Sequence, residues 1–327
     1  MPSVLSRDEP DLPFRLGPYE ARAKIGEGGM AAVYLARKVG EGAGPEVAAI
    51  KMIRGELARS AEFVTMFMDE ARIVARLRHP NVVRTFELGR QGPHLYLAME
   101  VLFGQSLHAV WEACRARKVR LRYDVIAWIA ARAADGLHHA HELRDDLGRP
   151  LDVVHRDLNA SNVVVTYDGE VKVIDFGLAK AAHRASKTAA GVVKGKVAYM
   201  SPEQAVGRSV DRRTDVFALG ILVWELGCDR RLFKGRDDVD TLRRVDAAQV
   251  PDATRVVSDF PPELWRIARQ ALAREPDRRY PTAAAMAHDL DAFVHGTAGA
   301  STLAAIMGAL FGPEREQQRA LLASASR

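Results

Sequence analysis

The stretch that decides the fold reads His155-Arg156-Asp157-Leu158-Asn159-Ala160-Ser161-Asn162, and Asp175-Phe176-Gly177 follows it thirteen residues after Asn162. Two short apolar runs, at 163–166 and 171–174, lie between these motifs and are separated by a turn that contains Asp168-Gly169. Short apolar runs joined by an Asp-Gly turn predict a β-hairpin. The hairpin would be flanked by the polar residues of both motifs, which makes this region the first candidate for a site.

The polar side chains beside this hairpin suit a divalent metal ion and a proton acceptor. Mg²⁺ prefers hard oxygen ligands and keeps coordination positions open for phosphate oxygens. Asn162 and Asp175 can supply such oxygens. That assignment leaves Asp157 as the carboxylate that accepts a proton from a hydroxyl group.

A glycine-rich segment near the start of the chain is the second candidate. It reads Ile25-Gly26-Glu27-Gly28-Gly29-Met30-Ala31-Ala32-Val33 and lies between two predicted strands. Glycines let a backbone approach phosphates closely and point N–H groups at them. By itself the segment could equally be a turn with additional glycines. A dinucleotide-binding fold would require a helix directly after the loop, whereas Val33-Tyr34-Leu35 continues as a strand.

A lysine follows this loop at the end of the apolar run Ala48-Ala49-Ile50-Lys51. A lysine at a strand end is often solvated. Beside a glycine-rich loop, however, it supplies the positive charge that a nucleotide phosphate site needs. A buried lysine also needs an anionic partner. We expect that partner to be Glu70, in the middle of the next predicted helix.

The remaining pattern predicts a small β-rich lobe followed by a larger helical lobe. Alternating apolar and polar residues predict five strands and one helix before residue 102, with the strands at 19–25, 32–37, 47–53, 82–88 and 95–101 and the helix at 61–77. Helical patterns dominate from residue 103, notably at 123–142, 216–226 and 263–273. This order indicates an α+β fold with a ligand cleft between the lobes.

Composition excludes several classes of protein. The two cysteines, Cys114 and Cys228, lack metal-type spacing and suggest no disulfide framework, which fits a reducing compartment. The sequence shows neither a signal peptide nor an apolar run of membrane-spanning length, so we expect a cytoplasmic protein. The net charge of +5 suits anionic ligands such as nucleotide phosphates, although an arginine-rich solvated surface would also produce it. No nucleic-acid or membrane partner is expected.

Taken in order, these motifs resemble those of the protein kinase superfamily and, within it, the bacterial serine/threonine kinases. The resemblance runs from about Gly17 to about Phe293. It implies the bilobal protein kinase fold, with a flexible leader at 1–16, an N-lobe at 17–102, a C-lobe at 103–295 and a helical tail at 296–327. It also implies an enzyme that transfers the γ-phosphate of ATP to serine or threonine hydroxyls of proteins in signal transduction, with Mg²⁺ or alternatively Mn²⁺ as the metal.

The resemblance assigns roles residue by residue. Lys51 would hold the α- and β-phosphates and pair with Glu70, Asp157 would be the base, and Asn162 and Asp175 would bind the metal. Met99 matches the gatekeeper, and Glu100 to Leu102 match the hinge whose backbone meets adenine. The residues implied to contact the nucleotide are Ile25, Gly26, Glu27, Gly28, Gly29, Met30, Ala31, Val33, Ala49, Lys51, Met99, Glu100, Leu102 and Val164. The third glycine of the family's loop is replaced by Ala31.

Further motifs concern the substrate and regulation. Met200-Ser201-Pro202-Glu203 matches the end of the activation segment, which builds a platform for peptide substrates and so disfavours a small-molecule kinase. Glu203 should pair with Arg279, and Asp215 should brace the catalytic loop. Arg156 precedes the catalytic aspartate, which is typical of kinases switched on by activation-loop phosphorylation. We expect autophosphorylation at Ser186 or Thr188.

The sequence departs from the family pattern at two positions. Serine/threonine kinases usually carry lysine two residues after the catalytic aspartate, where this chain has Asn159, and threonine where it has Lys196. We hypothesise that Lys196 restores the missing positive charge; the alternative is an ordinary exposed lysine. The missing lysine also leaves a second interpretation of the whole chain, a catalytically weak scaffold. The tail would pack on the helical lobe, with a docking helix for a regulator as the alternative.

Overall fold

A computed structural model describes residues 11–28, 31–41, 44–53, 60–176 and 196–326. The first part of the chain forms a six-stranded antiparallel sheet in the order β1-β2-β3-β4-β6-β5. One helix, α1, packs on it. The elements are β1 Phe14–Leu16, β2 Tyr19–Glu27, β3 Ala31–Lys38, β4 Val47–Ile53, α1 Ala61–Val74, β5 Thr85–Gln91 and β6 His94–Met99.

Helix α1 shows how the sequence produces this lobe. Ser60 caps it, since its side-chain oxygen accepts a hydrogen bond from the backbone N–H of Phe63 at 3.3 Å. Its buried residues, Phe63, Phe67, Ala71 and Val74, recur at helical spacing and form one apolar side. The predicted helix and its core-facing side are therefore confirmed, although the helix ends at Val74 rather than at residue 77.

The prediction of a loose leader over 1–16 is wrong at its end. Phe14–Leu16 forms strand β1 and pairs antiparallel with β2, with Leu16 opposite Tyr19. Both Leu16 and Tyr19 are buried. The chain reverses at Gly17, whose positive φ of 56° favours glycine. Residues 1–10 lie outside the described part of the chain.

The second lobe is mainly helical and contains a small sheet, β7-β8-β9. Helix α5 is buried on almost every side, and α3 packs against it and against α9. A helix that is apolar all round belongs in the centre of a domain. The elements are β7 Gly104–Ser106, α2 Leu107–Ala116, α3 Tyr123–His141, β8 Val163–Thr166, β9 Val171–Val173, α4 Pro202–Ala205, α5 Arg213–Cys228, α6 Asp238–Ala247, α7 Ala253–Val256, α8 Pro262–Ala271 and α9 Ala283–Val294.

Two further helices follow, α10 Ala300–Leu310 and α11 Gly312–Ala325. Helix α10 packs on α2 and β8, as expected for a tail that folds back on the helical lobe. Helix α11 differs from that expectation because it packs against β2 and β3 of the first lobe. None of the helices in the described ranges is both long and apolar enough to span a membrane.

Candidate active site

Strand register brings the glycine-rich segment and Lys51 together. Gly26 on β2 is paired with Val33 on β3, and Val33 is paired with Lys51 on β4. Because side chains alternate along a strand, Val33 and Lys51 point to the same face of the sheet. The side chain of Lys51 is only 13% exposed. A largely covered ammonium group therefore lies beside the base of the glycine-rich turn.

Asp175 is the carboxylate that contacts this lysine among the described residues. Its Oδ1 lies 2.6 Å from Lys51 Nζ. The pairing of Lys51 with Glu70 that we expected is not seen within the described ranges, where Glu70 occupies a half-buried position on α1. Asp175 reaches the lysine because Ile174 N–H donates to the carbonyl of Asn162 at 3.0 Å and because its own φ is 66°. A left-handed non-glycine residue is often part of a site.

Two amide side chains hold Asp157. Asn162 Nδ2 donates to the Asp157 carbonyl at 2.7 Å and lies 3.3 Å from Oδ2. Asn159 Nδ2 donates to the same carbonyl at 2.8 Å and lies 3.3 Å from Oδ1. Each carboxylate oxygen of Asp157 therefore faces one amide. This arrangement fixes the carboxylate in one orientation.

The same contacts test whether the residues fit a metal ion. The amide nitrogen of Asn162 is turned toward Asp157, so its oxygen Oδ1 is directed away from that carboxylate and can ligate a cation. Asp175 supplies a carboxylate from the same open end of the hairpin, because Val163, which follows Asn162, is paired with Val173 near the end of β9. An amide oxygen and a carboxylate are suitable ligands for a hard divalent cation. The donor set therefore fits Mg²⁺.

Asn159 has a second task that the sequence did not reveal. Its Oδ1 accepts a hydrogen bond from Ser161 N–H at 2.9 Å and so caps the 3₁₀ turn Ala160–Asn162. The residue is buried. Asn159 thus turns inward and connects Asp157 to the turn that carries Asn162.

His155 and Phe176 connect the two motifs behind the site. Asp157 N–H donates to His155 Nδ1 at 3.3 Å, so the other ring nitrogen, Nε2, carries the hydrogen that is donated to the Ile174 carbonyl at 2.8 Å. The rings of His155 and Phe176 meet edge to face at 4.7 Å. Both side chains are buried. The histidine therefore holds the segment of Asp157 against the segment of Asp175.

Asp215 braces the catalytic loop from the start of α5, as predicted. Its Oδ2 accepts hydrogen bonds from His155 N–H and His141 Nε2, both at 2.8 Å, and its Oδ1 accepts one from Arg156 N–H at 2.9 Å. Burial alone would raise the pKa of Asp215. The hydrogen bond and charge of His141, with the other donors, outweigh burial and lower that pKa. Arg156 adopts a positive φ of 67°, which these bonds support.

The ion pair predicted between Glu203 and Arg279 is confirmed. Two parallel hydrogen bonds of 2.8 Å join the guanidinium to the carboxylate. Nearby, Ser201 caps α4 in a capping box with Gln204, and Gln204 Nε2 donates to the Arg156 carbonyl at 3.0 Å. The segment that follows the masked residues is therefore fixed to the core and to the catalytic loop.

The residues predicted to surround adenine come from both lobes. Ala49 on β4 is paired with Met99 at the end of β6, and Val164 lies on β8. Ile25 is more exposed, at 43%. Leu102 lies in the connection between β6 and β7. The adenine contacts of these residues stay a prediction.

Glu100 in the same connection has a partner that sequence reasoning missed. Its carboxylate lies 2.9 Å from Lys172 Nζ and accepts a hydrogen bond from Arg84 N–H at 2.8 Å. Lys172 alternates with the buried Val171 and Val173 on β9, so only its position between two core residues could have indicated a role. The pair ties the connection between the lobes to the sheet of the second lobe.

Several predicted residues lie outside the described part of the chain. Gly29, Met30, Ser186 and Thr188 are among the masked residues, and only the backbone of Lys196 is described. Glu27 and Gly28 are described at the edge of the loop, where Gly28 N–H donates to the Ala31 carbonyl at 2.9 Å.

Comparisons with known proteins agree with this geometry. Residues 19–290 match the family model of the protein kinase domain. The tyrosine-protein kinase MasK of Myxococcus xanthus is 40% identical over 306 residues, which cover 93% of this chain and 47% of MasK. The serine/threonine-protein kinase PknL of Mycobacterium tuberculosis is 35% identical over 84% of this chain and 65% of PknL. PrkC of Bacillus subtilis, also a serine/threonine-protein kinase, is 33% identical over 84% of this chain and 40% of PrkC.

A solved structure supports the fold. The Mycobacterium tuberculosis PknI kinase domain superimposes with a TM-score of 0.67, covering 87% of this chain and 99% of that domain, at 23% identity. The chain spans between 40% and 65% of the length of the three relatives above. The predicted bilobal α+β architecture is confirmed, and the chain belongs to the protein kinase family, among relatives that include bacterial kinases of the serine/threonine type.

Proposed function

We propose that this protein transfers the γ-phosphoryl group of ATP to serine and threonine hydroxyls of protein substrates. The observation that carries the proposal is the fixed carboxylate of Asp157, which faces Asn159 on one oxygen and Asn162 on the other. A base must be held within reach of the hydroxyl proton, and two amides that do not titrate hold it without competing for that proton.

The remaining residues of the site support phosphoryl transfer. Lys51 is a half-buried cation on the strand next to the glycine-rich hairpin, where it would contact the nucleotide phosphates. Asn162 and Asp175 would hold the metal, which we propose to be Mg²⁺, with Mn²⁺ as an alternative. The metal supplies charge neutralisation of the phosphates. The chain's own contribution is to position the hydroxyl, the nucleotide and the base.

A protein substrate is favoured by the segment after residue 196. Glu203 and Arg279 anchor it in the core, and Gln204 ties it to the Arg156 carbonyl beside Asp157. A rigid segment that ends next to the base would support an extended peptide. We also propose autophosphorylation at Ser186 or Thr188, and a cytoplasmic location in which ATP is available. Docking of a regulator on the tail stays a prediction.

Radiolabelled ATP and Mg²⁺ with generic protein substrates test the proposal directly. The wild type should label itself or the substrate, and Asp157→Asn should abolish labelling while still binding nucleotide. An unlabelled wild type that binds ATP would favour the scaffold interpretation, which the kinase names of the relatives do not support.

Tyrosine is the second candidate acceptor, and two observations favour it. MasK, at 40% identity, is named a tyrosine-protein kinase. In addition, Asn159 replaces the lysine that serine/threonine kinases usually carry, and it turns inward to Asp157. Acid hydrolysis of the labelled protein followed by phosphoamino-acid separation distinguishes the acceptors. We expect phosphoserine and phosphothreonine; phosphotyrosine alone would replace the proposal by this second candidate.

A further inference from the structure

The last helix, α11, turns one continuous stripe toward the rest of the molecule. The buried or half-buried residues of this stripe recur at alternating intervals of four and three and are Phe311, Arg315, Gln318, Leu322 and Ala325. Such spacing marks one side of a helix. The helix has 14 residues and is therefore about 20 Å long. It is long enough to reach from one lobe to the other.

The first half of α11 contacts the helical lobe and the connection between the lobes. Just before it, at the end of α10, the Leu310 carbonyl accepts a hydrogen bond from Arg117 Nη2 at 2.7 Å. One turn further, the guanidinium of Arg315 lies over the ring of Tyr167, 5.8 Å from its centre. Gln318 Nε2 then donates to the carbonyl of Gly104 at 3.2 Å. These contacts fix the helix to the C-terminal side of the cleft.

Gly104 follows the predicted adenine-binding residues 100–102, and its strand β7 is paired with β8, which ends directly before Tyr167. Tyr167 N–H donates to the Phe103 carbonyl at 2.9 Å, and the rings of Phe103 and Tyr167 meet at 4.7 Å. Gly104 itself approaches β8 so closely that a Cβ atom would lie 2.2 Å from the Val165 carbonyl oxygen. Helix α11 therefore rests on a tightly packed part of the molecule.

Helix α11 also contacts the N-terminal lobe. The helix packs against β2 and β3, the strands that carry the glycine-rich turn with Gly26 and Val33. Ala325, in its last turn, is only 2% exposed, whereas Ala323 is exposed. The same helix thus contacts the fixed side of the cleft and the hairpin that would close over the nucleotide.

We propose that α11 is a strap that positions the β2–β3 hairpin over the ATP site, with Gln318 and Ala325 as positioning residues. Two strands that are already held at a second point have less conformational entropy to lose when ATP binds beside them. The proposal rests on the proposed function only in taking the cleft as the ATP site. It predicts that loosening α11 weakens ATP binding without touching any residue of the cleft.

Two matched pairs of variants test the strap in the full chain. Ala325→Glu places a carboxylate in the buried stripe, and Ala323→Glu places the same group on the exposed side. Gln318→Ala removes the hydrogen bond to Gly104, and Gln317→Ala truncates the exposed neighbour. ATP affinity is measured by calorimetry in an Asp157→Asn background, so the result does not depend on phosphoryl transfer. Amide hydrogen exchange of β2 and β3 is measured without nucleotide.

We expect Ala325→Glu to weaken ATP binding about fivefold or more and to speed exchange in β2 and β3, with Ala323→Glu unchanged. Gln318→Ala should weaken binding about threefold and Gln317→Ala not at all. Equal effects within each pair, or faster exchange in α11 alone with unchanged ATP affinity, would overturn the strap. If the wild type binds no ATP, the proposed function fails. The exchange rates of β2 and β3 in the variants then still show whether α11 restrains these two strands.

Discussion

Asn159 donates its side-chain amide to the backbone carbonyl of Asp157 at 2.8 Å and lies 3.3 Å from the carboxylate oxygen Oδ1. Members of the family usually have a lysine at this position, which brings a positive charge. Here the residue brings a neutral donor that is buried and that also caps the next turn. Its effect on Asp157 is therefore orientation rather than charge.

Replacing Asn159 by aspartate should change how activity depends on pH. A second carboxylate about 3 Å from Asp157 Oδ1 disfavours two negative charges and raises the pKa of the pair. We expect the acidic limb of the kcat profile to move up by about one pH unit or more. Asn159→Ala, which removes the donor without adding charge, should lower kcat about tenfold and leave the limb in place. If the acidic limb of the kcat profile does not move in Asn159→Asp, residue 159 does not directly contact the base Asp157.

Asp175→Asn should raise the concentration of Mg²⁺ that gives half-maximal activity. The change keeps the shape of the side chain but removes the charge that lies 2.6 Å from Lys51 and that would hold the metal. We expect an increase of about tenfold or more, since a charged oxygen ligand becomes neutral. Asp168→Asn, at an exposed turn of the same hairpin, is the matched control. Similar Mg²⁺ titrations for both variants would remove Asp175 from the metal site.

Most of the site could be predicted from sequence because short motifs set it. Strand β4 was predicted with both ends correct, since its run of seven residues from Val47 to Ile53 is apolar except for Lys51. Strand β1 was missed because three residues carry too little pattern, although the turn at Gly17-Pro18 was a signal. The partner of Lys51 was mispredicted because two carboxylates, those of Glu70 and Asp175, can both approach one ammonium. Sequence spacing does not rank them.

The position of α11 shows a different limit of prediction from sequence, which concerns where a helix packs. The side of α11 that faces the rest of the molecule is mixed in polarity, with Arg315 and Gln318 on it as well as Leu322 and Ala325. The spacing of residues along a helix describes that helix alone, so it carries no information about which surface of the molecule covers this side. The tail was expected on the helical lobe. Helix α10 lies there, whereas α11 contacts that lobe through Arg315 and Gln318 and also packs against β2 and β3.

Asp215→Asn should lower the free energy of unfolding and make that free energy depend less on pH in the acidic range. In this variant an amide nitrogen, itself a donor, would face N–H groups that now donate to carboxylate oxygens. We expect this mismatch to lower the free energy of unfolding by about 3 kcal/mol. The folded pKa of Asp215 is lowered, so its stabilisation is present above pH ~4 and is lost as pH falls through the folded value. Urea unfolding from pH 7 to pH 3 measures both effects. Glu263→Gln, an exposed first-turn carboxylate of α8, should change neither.

Activation-loop phosphorylation should control activity through Ser186 and Thr188. Both lie outside the described residues, and the prediction comes from Arg156 beside the catalytic aspartate and from the basic residues Arg184 and Lys187. The double variant Ser186→Ala/Thr188→Ala should lose most activity and most self-labelling. Phosphosite mapping of the wild type after incubation with ATP identifies the acceptor. Full activity in the double variant would place regulation elsewhere.

Lys196 should supply the positive charge that Asn159 does not. The side chain of Asn159 is occupied by Asp157 and Ser161, so a charge near the transferring phosphoryl group must come from another residue. Lys196 begins the 3₁₀ turn that leads to the anchored segment at Ser201. We expect Lys196→Ala to lower kcat about a hundredfold, as for loss of a charge at the reacting group, and Lys194→Ala to have little effect. Adding Asn159→Lys to Lys196→Ala should restore part of the rate, because the new ammonium would enter from the catalytic loop. If the two lysine variants have small and equal effects and Asn159→Lys restores no activity, Lys196 does not replace the missing charge.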